Sequence, residues 1–356
     1  MAITGFVRAQ GSAVEAVAPV LDDSQRVVVE LPESESAAVI GAPGSGKTTA
    51  IVELVARRVL HDGWSPDELV VLTPSRASAS LLRTSLALRL GVPSNGPLAR
   101  TVNSLAFEVV GRAAALAGAP QPRLVTGGEQ DADIAQLLEG QLAEGTGPAW
   151  PETLGPEVRS LRGFRSELRE LMARATEFGV TSSRLAELGA SSGRPEWIAA
   201  AGFIDDYLNT VSAYRESQFD SAELAQYAVQ AIAAGDPGER VERLRLVIVD
   251  DLQEATESTL AILRALVGRG IPVVAFGDPD VAANAFRGGE PDALGRLATV
   301  LGRRDLTTIT LATSYRQGPA LRALTASVTS RIGAAAAVPM RAVMFEVRAR
   351  RVGPWR

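Results

Sequence analysis

Cysteine is absent from all 356 residues, which excludes disulfides, thiolate zinc sites and iron–sulfur clusters. Histidine occurs once, as His61 in the loop-like run His61-Asp62-Gly63-Trp64. Histidine metal sites and histidine-based catalytic triads are therefore excluded as well. No apolar run reaches membrane-spanning length, and the start lacks a charged segment followed by an apolar one. The expectation is a soluble cytoplasmic protein with no membrane partner. The net charge is −5, so any nucleic-acid contact has to come from a local basic patch rather than from the charge of the whole molecule. Lysine is nearly missing too: of 36 basic residues, Lys47 is the single lysine and the rest are arginine.

That lysine lies in Gly41-Ala42-Pro43-Gly44-Ser45-Gly46-Lys47-Thr48, which fits G-x-x-x-x-G-K-[ST] at each fixed position. A compact ammonium on a flexible stem can enter a tight phosphate cradle where a planar guanidinium fork is too wide. Backbone N–H groups of such a loop wrap phosphates, and the following helix points its positive end at them. Thr48 would place its hydroxyl on Mg²⁺. The context agrees, because Ala37–Ile40 is a short apolar run and the residues from Thr49 to Ala56 continue with helical spacing.

Residues 1–35 read as a poorly ordered start that becomes specific at Leu21-Asp22-Asp23-Ser24-Gln25-Arg26. Residues 36–112 alternate strand and helix, with strands near Val39, at 69–72 and at 99–102. This predicts an α/β fold, a parallel sheet covered on both faces. Residues 113–215 are rich in Ala, Leu, Arg and Glu, with helical periodicity at 157–177 and 196–216 and no strand pattern. They predict a helical insertion. The α/β pattern returns with a strand at 243–249, a helix at 256–267 and strands at 271–276 and near 307–311. A last helix is expected over 318–332, followed by an arginine-rich irregular tail from about 339.

The run Val247-Ile248-Val249 ends in Asp250-Asp251. Ligands of open parallel sheets bind at the carboxyl ends of the strands. Two acids there, beside a phosphate loop, suit Mg²⁺ and an attacking water: Asp250 for the metal shell, Asp251 to polarise the water. The next strand closes with Phe276-Gly277-Asp278-Pro279-Asp280, which reads either as a simple turn or as a further piece of the site.

Taken together and in order, these residues resemble the UvrD/Rep-type DNA helicases of superfamily one. Leu21–Gln25 is similar to the Q motif, whose glutamine reads the adenine edge. Gly41–Thr49 resembles motif I. Leu72-Thr73-Pro74-Ser75-Arg76 is similar to the DNA-contacting motif Ia, and Thr101-Val102-Asn103-Ser104-Leu105 to the Thr-Phe-His-Ser-Leu signature. Asp250–Glu254 resembles motif II, 277–289 motif III, and Ser314-Tyr315-Arg316 motif IV, whose arginine reaches the γ-phosphate. The substitutions are similar in flavour to the AdnAB-type helicase–nuclease branch. The resemblance covers roughly 18–332 and implies a RecA-like P-loop NTPase fold using ATP and Mg²⁺, with single-stranded DNA as a partner and a possible helicase–nuclease partner subunit.

The implied nucleotide residues are Gln25, Gly41, Ala42, Pro43, Gly44, Ser45, Gly46, Lys47, Thr48, Thr49, Asp250, Asp251 and Arg316; the implied DNA residues are Thr73, Arg76, Asn103, Phe286 and Arg287. Lys47, Asp251 and Arg316 would carry the chemistry, with Thr48 and Asp250 on the metal. The implied organisation is a RecA-like domain 1A in two parts, 1–112 and 216–305, interrupted by a helical subdomain 1B at 113–215. A second RecA-like lobe would start at 306–338, and 339–356 would form a tail. Four positions depart from the family: Asp251 replaces a glutamate, Val281 a glutamine, Asn284 a tyrosine and Asn103 a histidine. No counterpart of motifs V and VI follows Arg316, so a truncated chain is expected, and with it a second function: an ATP- and DNA-binding module with little turnover that serves a partner motor.

Overall fold

The uninterrupted apolar runs become strands buried on both faces. In the computed structural model, which describes residues 18–212, 215, 217–235, 237–283 and 288–318 and also 320, 321, 323, 324 and 327, β1 (Ala37–Ile40), β2 (Leu69–Thr73) and β3 (Ala99–Thr101) precede a short pair, β4 (Arg123–Leu124) and β5 (Gln218–Phe219). Then come β6 (Leu246–Val249), β7 (Val273–Gly277) and β8 (Thr307–Thr310). Six of them form one parallel sheet in the order β3-β2-β6-β7-β1-β8. β1, β2, β6 and β7 are buried at every position. The edge strand β8 exposes Thr307 and Thr308, as an edge allows.

Successive residues of a strand point to opposite faces, and the two cores follow that alternation. Ala37 and Val39 of β1 pack on one side with Val28, Ile51, Leu54, Leu82 and Leu86. Those residues belong to α1 (Asp23–Val29), α2 (Lys47–Ala56) and α3 (Arg76–Leu90). Ala38 and Ile40 pack on the other side with Leu105, Leu224, Leu263 and Leu297. The helices there are α4 (Val102–Leu116), α10 (Ser221–Ala234), α12 (Glu257–Gly268) and α13 (Leu297–Val300). Helix α11 (Glu239–Arg243) leads into β6.

A third core belongs to α5 (Gly127–Glu144), α7 (Arg162–Glu177), α8 (Ser182–Ser192) and α9 (Pro195–Ser212), with the single turn α6 (Pro156–Arg159) between α5 and α7. Ile134, Leu168, Leu185 and Phe203 meet there, and Trp150 meets Phe164 edge to face at 5.3 Å. The β4–β5 pair joins the two ends of this helical unit; two-residue strands leave no alternation to read in a sequence.

Other expectations change as well. Within the start, the run expected to be specific, 21–26, opens a helix that was not expected: Asp22 and Gln25 form a capping box that founds α1. The helix expected over 157–177 is broken into α6 and α7. β8, placed in the sequence reading at the start of a second lobe, pairs in parallel with β1 and extends the first sheet. Most of 318–332 and all of 339–356 lie outside the described residues. Among those described, no helix is long and apolar enough to cross a membrane.

Candidate nucleotide site and adjoining groove

Because β6, β7 and β1 are neighbours in the sheet, the segments leaving their carboxyl ends are gathered together. They are Asp250–Asp251, Asp278 and the loop 41–46. The loop is glycine-built for steric reasons. Gly44 and Gly46 have φ of 82° and 87°, a region only glycine adopts freely. A Cβ on Gly46 would stand 2.2 Å from Gln25 Nε2, and one on Gly41 2.3 Å from Ser45 Oγ. Ser45 is fully buried, and its hydroxyl has no partner. Lys47 opens α2 and donates from Nζ to Gly41 O at 2.7 Å and Ala42 O at 3.4 Å. Thr48 and Thr49 follow in the first turn; Thr48 is exposed.

The charge of this ammonium acts on two largely buried carboxylates, Asp250 and Asp278. Burial, reinforced by the neighbouring Asp251 charge and only partly offset by Lys47, pushes the Asp250 carboxyl up to about 6. Burial raises Asp278 too, despite the Asp280 amide and the Lys47 charge. Asp251 has φ 52° and ψ 52°, left-handed backbone that costs a non-glycine residue about 1–2 kcal/mol. It turns the chain into the short 3₁₀ segment Leu252–Glu254.

The other wall of the site comes from Leu311–Arg316. Leu311 N donates to Ile40 O, Tyr315 N to Gly44 O at 2.9 Å, and Ser314 Oγ to Pro43 O at 3.5 Å. Tyr315 Oη donates to Asp22 Oδ2 at 2.6 Å. Burial pushes Asp22 up, but the hydrogen bonds from Ser24, Tyr315 and the Gln25 amide outweigh it and hold the carboxyl below its usual range. The exposed Arg316 lays its stem over Gly44, where a Cβ would come within 2.9 Å of Arg316 Cβ. Gln25 is buried, 2% exposed; its Nε2 donates to Ser45 O at 3.4 Å and its Oε1 accepts from Asp22 N. Both ends of the amide expected to read a base are thus engaged by the protein itself.

Beside this site, at the ends of β2, β3 and β6, runs a groove of about 1170 Å³. Thr73, Arg76 and Asn103 all line it, together with Asp250 and Asp251. Arg76 is exposed. Thr73 is buried, and its hydroxyl donates to Ser75 O at 3.0 Å. Asn103 Nδ2 donates to Ser221 Oγ at 3.2 Å. Asn284, Phe286 and Arg287 lie outside the described residues.

The sequence reading missed Gln253. It is 4% exposed, donates from Nε2 to Asp251 Oδ1 at 3.2 Å, and accepts from Asp278 N at 3.0 Å. The Tyr315–Asp22 contact was missed too, since 293 positions separate its partners.

The donor set suits Mg²⁺. Among the described residues no group of three or more His, Cys, Asp or Glu could hold an ion alone. One carboxylate, Asp250, and one hydroxyl, Thr48, would hold Mg²⁺ only in part, which suits an ion that keeps waters and phosphate oxygens in its shell.

A six-stranded parallel sheet with a glycine loop leaving its β1 strand is the RecA-like helicase fold. The model of the UvrD/REP helicase N-terminal domain matches residues 21–299, and the chain belongs to that family. Over 306 residues it is 23% identical to DNA helicase II of Escherichia coli (strain K12), covering 83% of this chain and 38% of that protein. Over 276 residues it is 22% identical to the ATP-dependent DNA helicase UvrD1 of Mycobacterium tuberculosis (strain ATCC 25618 / H37Rv), covering 75% of this chain and 34% of that one. The same figures hold for UvrD1 of Mycobacterium bovis. The chain thus spans little more than a third of the length of these relatives.

Proposed function

We propose that this chain is the ATP-binding region of an ATP-dependent DNA helicase or translocase, in which ATP hydrolysis is coupled to movement on single-stranded DNA in recombination and repair. The observation that carries this is the gathering of the loop 41–48, the pair Asp250–Asp251 and the segment 314–316 at the ends of adjacent strands, with the Lys47 charge acting on Asp250 and the segment 314–316 bonded to the loop. In this reading Lys47 leaves the Gly41 carbonyl for the β and γ phosphates, and Gly41–Gly46 with Thr49 cradle them. Thr48 and Asp250 would hold Mg²⁺, which would supply neutralisation of charge on the phosphate oxygens. Asp251 orients the attacking water, Arg316 reaches the γ-phosphate, and Gln25 exchanges its internal bonds for the adenine edge.

Thr73, Arg76 and Asn103 contact DNA along the groove, with Phe286 and Arg287 beyond the described residues. Residues 113–215 serve as the helical subdomain 1B set into domain 1A, and the chain belongs to the AdnAB-type branch with a helicase–nuclease partner subunit. The test is ATP hydrolysis with and without single-stranded DNA. Strong stimulation that disappears in Lys47→Ala supports the reading.

A second reading, a module that holds ATP and DNA but turns over little beside a partner motor, is favoured by two features. Asp251 is one methylene shorter than a glutamate, and near-attack geometry is sensitive to about 1 Å; and Val281 stands 49% exposed. Tight nucleotide binding without stimulated turnover would select it.

A further inference from the structure

We propose that the nucleotide site takes nucleoside triphosphates by their phosphates with little choice of base, because the protein keeps Gln25 as an internal brace of the phosphate loop. The inference rests on the nucleotide-site reading above and deepens it, since it concerns which nucleotides that site accepts. Its basis is the bonding of one amide. Gln25 Oε1 accepts from Asp22 N at 3.2 Å, and Nε2 donates to Ser45 O at 3.4 Å. One partner can only donate and the other can only accept, so the amide has a single orientation. It joins the start of α1 to the phosphate loop.

The brace is itself held. Asp22 Oδ1 accepts from Gln25 N at 2.8 Å and from Ser24 Oγ at 2.6 Å, while Asp22 Oδ2 accepts from Tyr315 Oη at 2.6 Å. Tyr315 N donates in turn to Gly44 O at 2.9 Å. Asp22, Gln25, the loop at 44–45 and Tyr315 thus close a ring of hydrogen bonds. Gln25 is 2% exposed within it, and Nε2 sits against Gly46, where a Cβ would stand 2.2 Å away.

Reading an adenine edge takes both ends of an amide: the oxygen accepts from N6 and the nitrogen donates to N7. Such a pair discriminates against the wrong base by about 5- to 150-fold. Here the amide must first give up two internal bonds, which together are worth about the same factor. Its departure would also leave the Asp22 amide without its capping partner and open a void beside Gly46. The exchange therefore brings adenine no net gain, and a guanine or cytosine nucleotide loses nothing by leaving Gln25 in place. The loop amides and Lys47 act on phosphates, which all nucleoside triphosphates share.

The test is equilibrium binding of ATP, GTP and CTP, each with Mg²⁺, to the full chain, for the wild type, Gln25→Ala, Gln25→Glu and Lys47→Ala. The three wild-type dissociation constants should agree within about fivefold, the low end of what a base-reading amide delivers. Gln25→Ala should shift all three by a common factor and leave their ratios unchanged. Gln25→Glu keeps an acceptor for the Asp22 amide but cannot donate to N7, so it too should leave the ratios unchanged, and it decides the matter should Gln25→Ala fail to fold. A wild type with a wider preference for ATP overturns the proposal, as does a variant in which the ATP-to-GTP ratio moves. A wild type that binds none of the three, or whose binding survives in Lys47→Ala, overturns the nucleotide-site reading, and this proposal with it.

Discussion

Replacing Asp250 by asparagine should make the nucleotide-free protein more stable while destroying its Mg²⁺-dependent chemistry. The magnitude follows from the carboxyl itself. Its value rises from 3.8 to about 6 on folding, chiefly through burial and secondly through Asp251. At 1.36 kcal/mol per unit, that difference is worth about 3 kcal/mol. The folded state holds the proton more tightly, so this group's contribution is most favourable below 3.8 and is lost as pH rises through about 6. Asparagine carries no such charge. Residual solvent around the carboxyl reduces the expected gain to about 1–3 kcal/mol at neutral pH, with little gain near pH 4. Urea unfolding of both proteins across this range, without nucleotide or metal, measures it, and the difference between the two cancels the other titrating groups. Adding Mg²⁺ and ATPγS should reverse the order, because ligand that binds only the wild-type site stabilises it by mass action. A stability difference that does not grow with pH would refute the reasoning.

Three further outcomes are expected. Gly46→Ala should destabilise by about 1–3 kcal/mol and abolish nucleotide binding, since its φ is 87° and a Cβ would meet Gln25; Gly63→Ala, at φ 76° in open space, should cost only the backbone strain of about 1–2 kcal/mol, and thermal unfolding compares the two. Arg89→Ala should cost about 3–5 kcal/mol in denaturant unfolding, because it leaves Glu53, 7% exposed and paired bidentately at 2.8 and 2.9 Å, without its partner. Arg76→Ala should weaken single-stranded DNA binding for all sequences alike and lower the salt slope by about 0.7, measured by titration at several salt concentrations.

What could be read ahead of the structure divides along physical lines. Strands β1, β2, β6 and β7 were legible because a strand covered on both faces needs an apolar run without alternation, as in 69–72 and 271–276. The loop 41–48 was legible because its glycines answer to steric demands at fixed spacing. Helix α1 was not, because seven residues with three successive valines carry little helical signal, and its start rests on the Asp22–Gln25 capping box. The break between α6 and α7 falls at Ser160-Leu161, without glycine or proline to mark it. Gln253 looked like any motif residue; only the fold reveals that its amide spans from Asp251 to Asp278. The pairing of β8 with β1 joins positions about 270 apart, and register of that range leaves no local trace.

The central claim is that one ammonium organises a nucleotide site. Equilibrium binding of a fluorescent ATP analogue with Mg²⁺ to the wild type and to Lys47→Ala tests it most directly. The account predicts saturable binding by the wild type that Lys47→Ala abolishes while its thermal unfolding profile stays close to wild type. Equal binding by both proteins would contradict it.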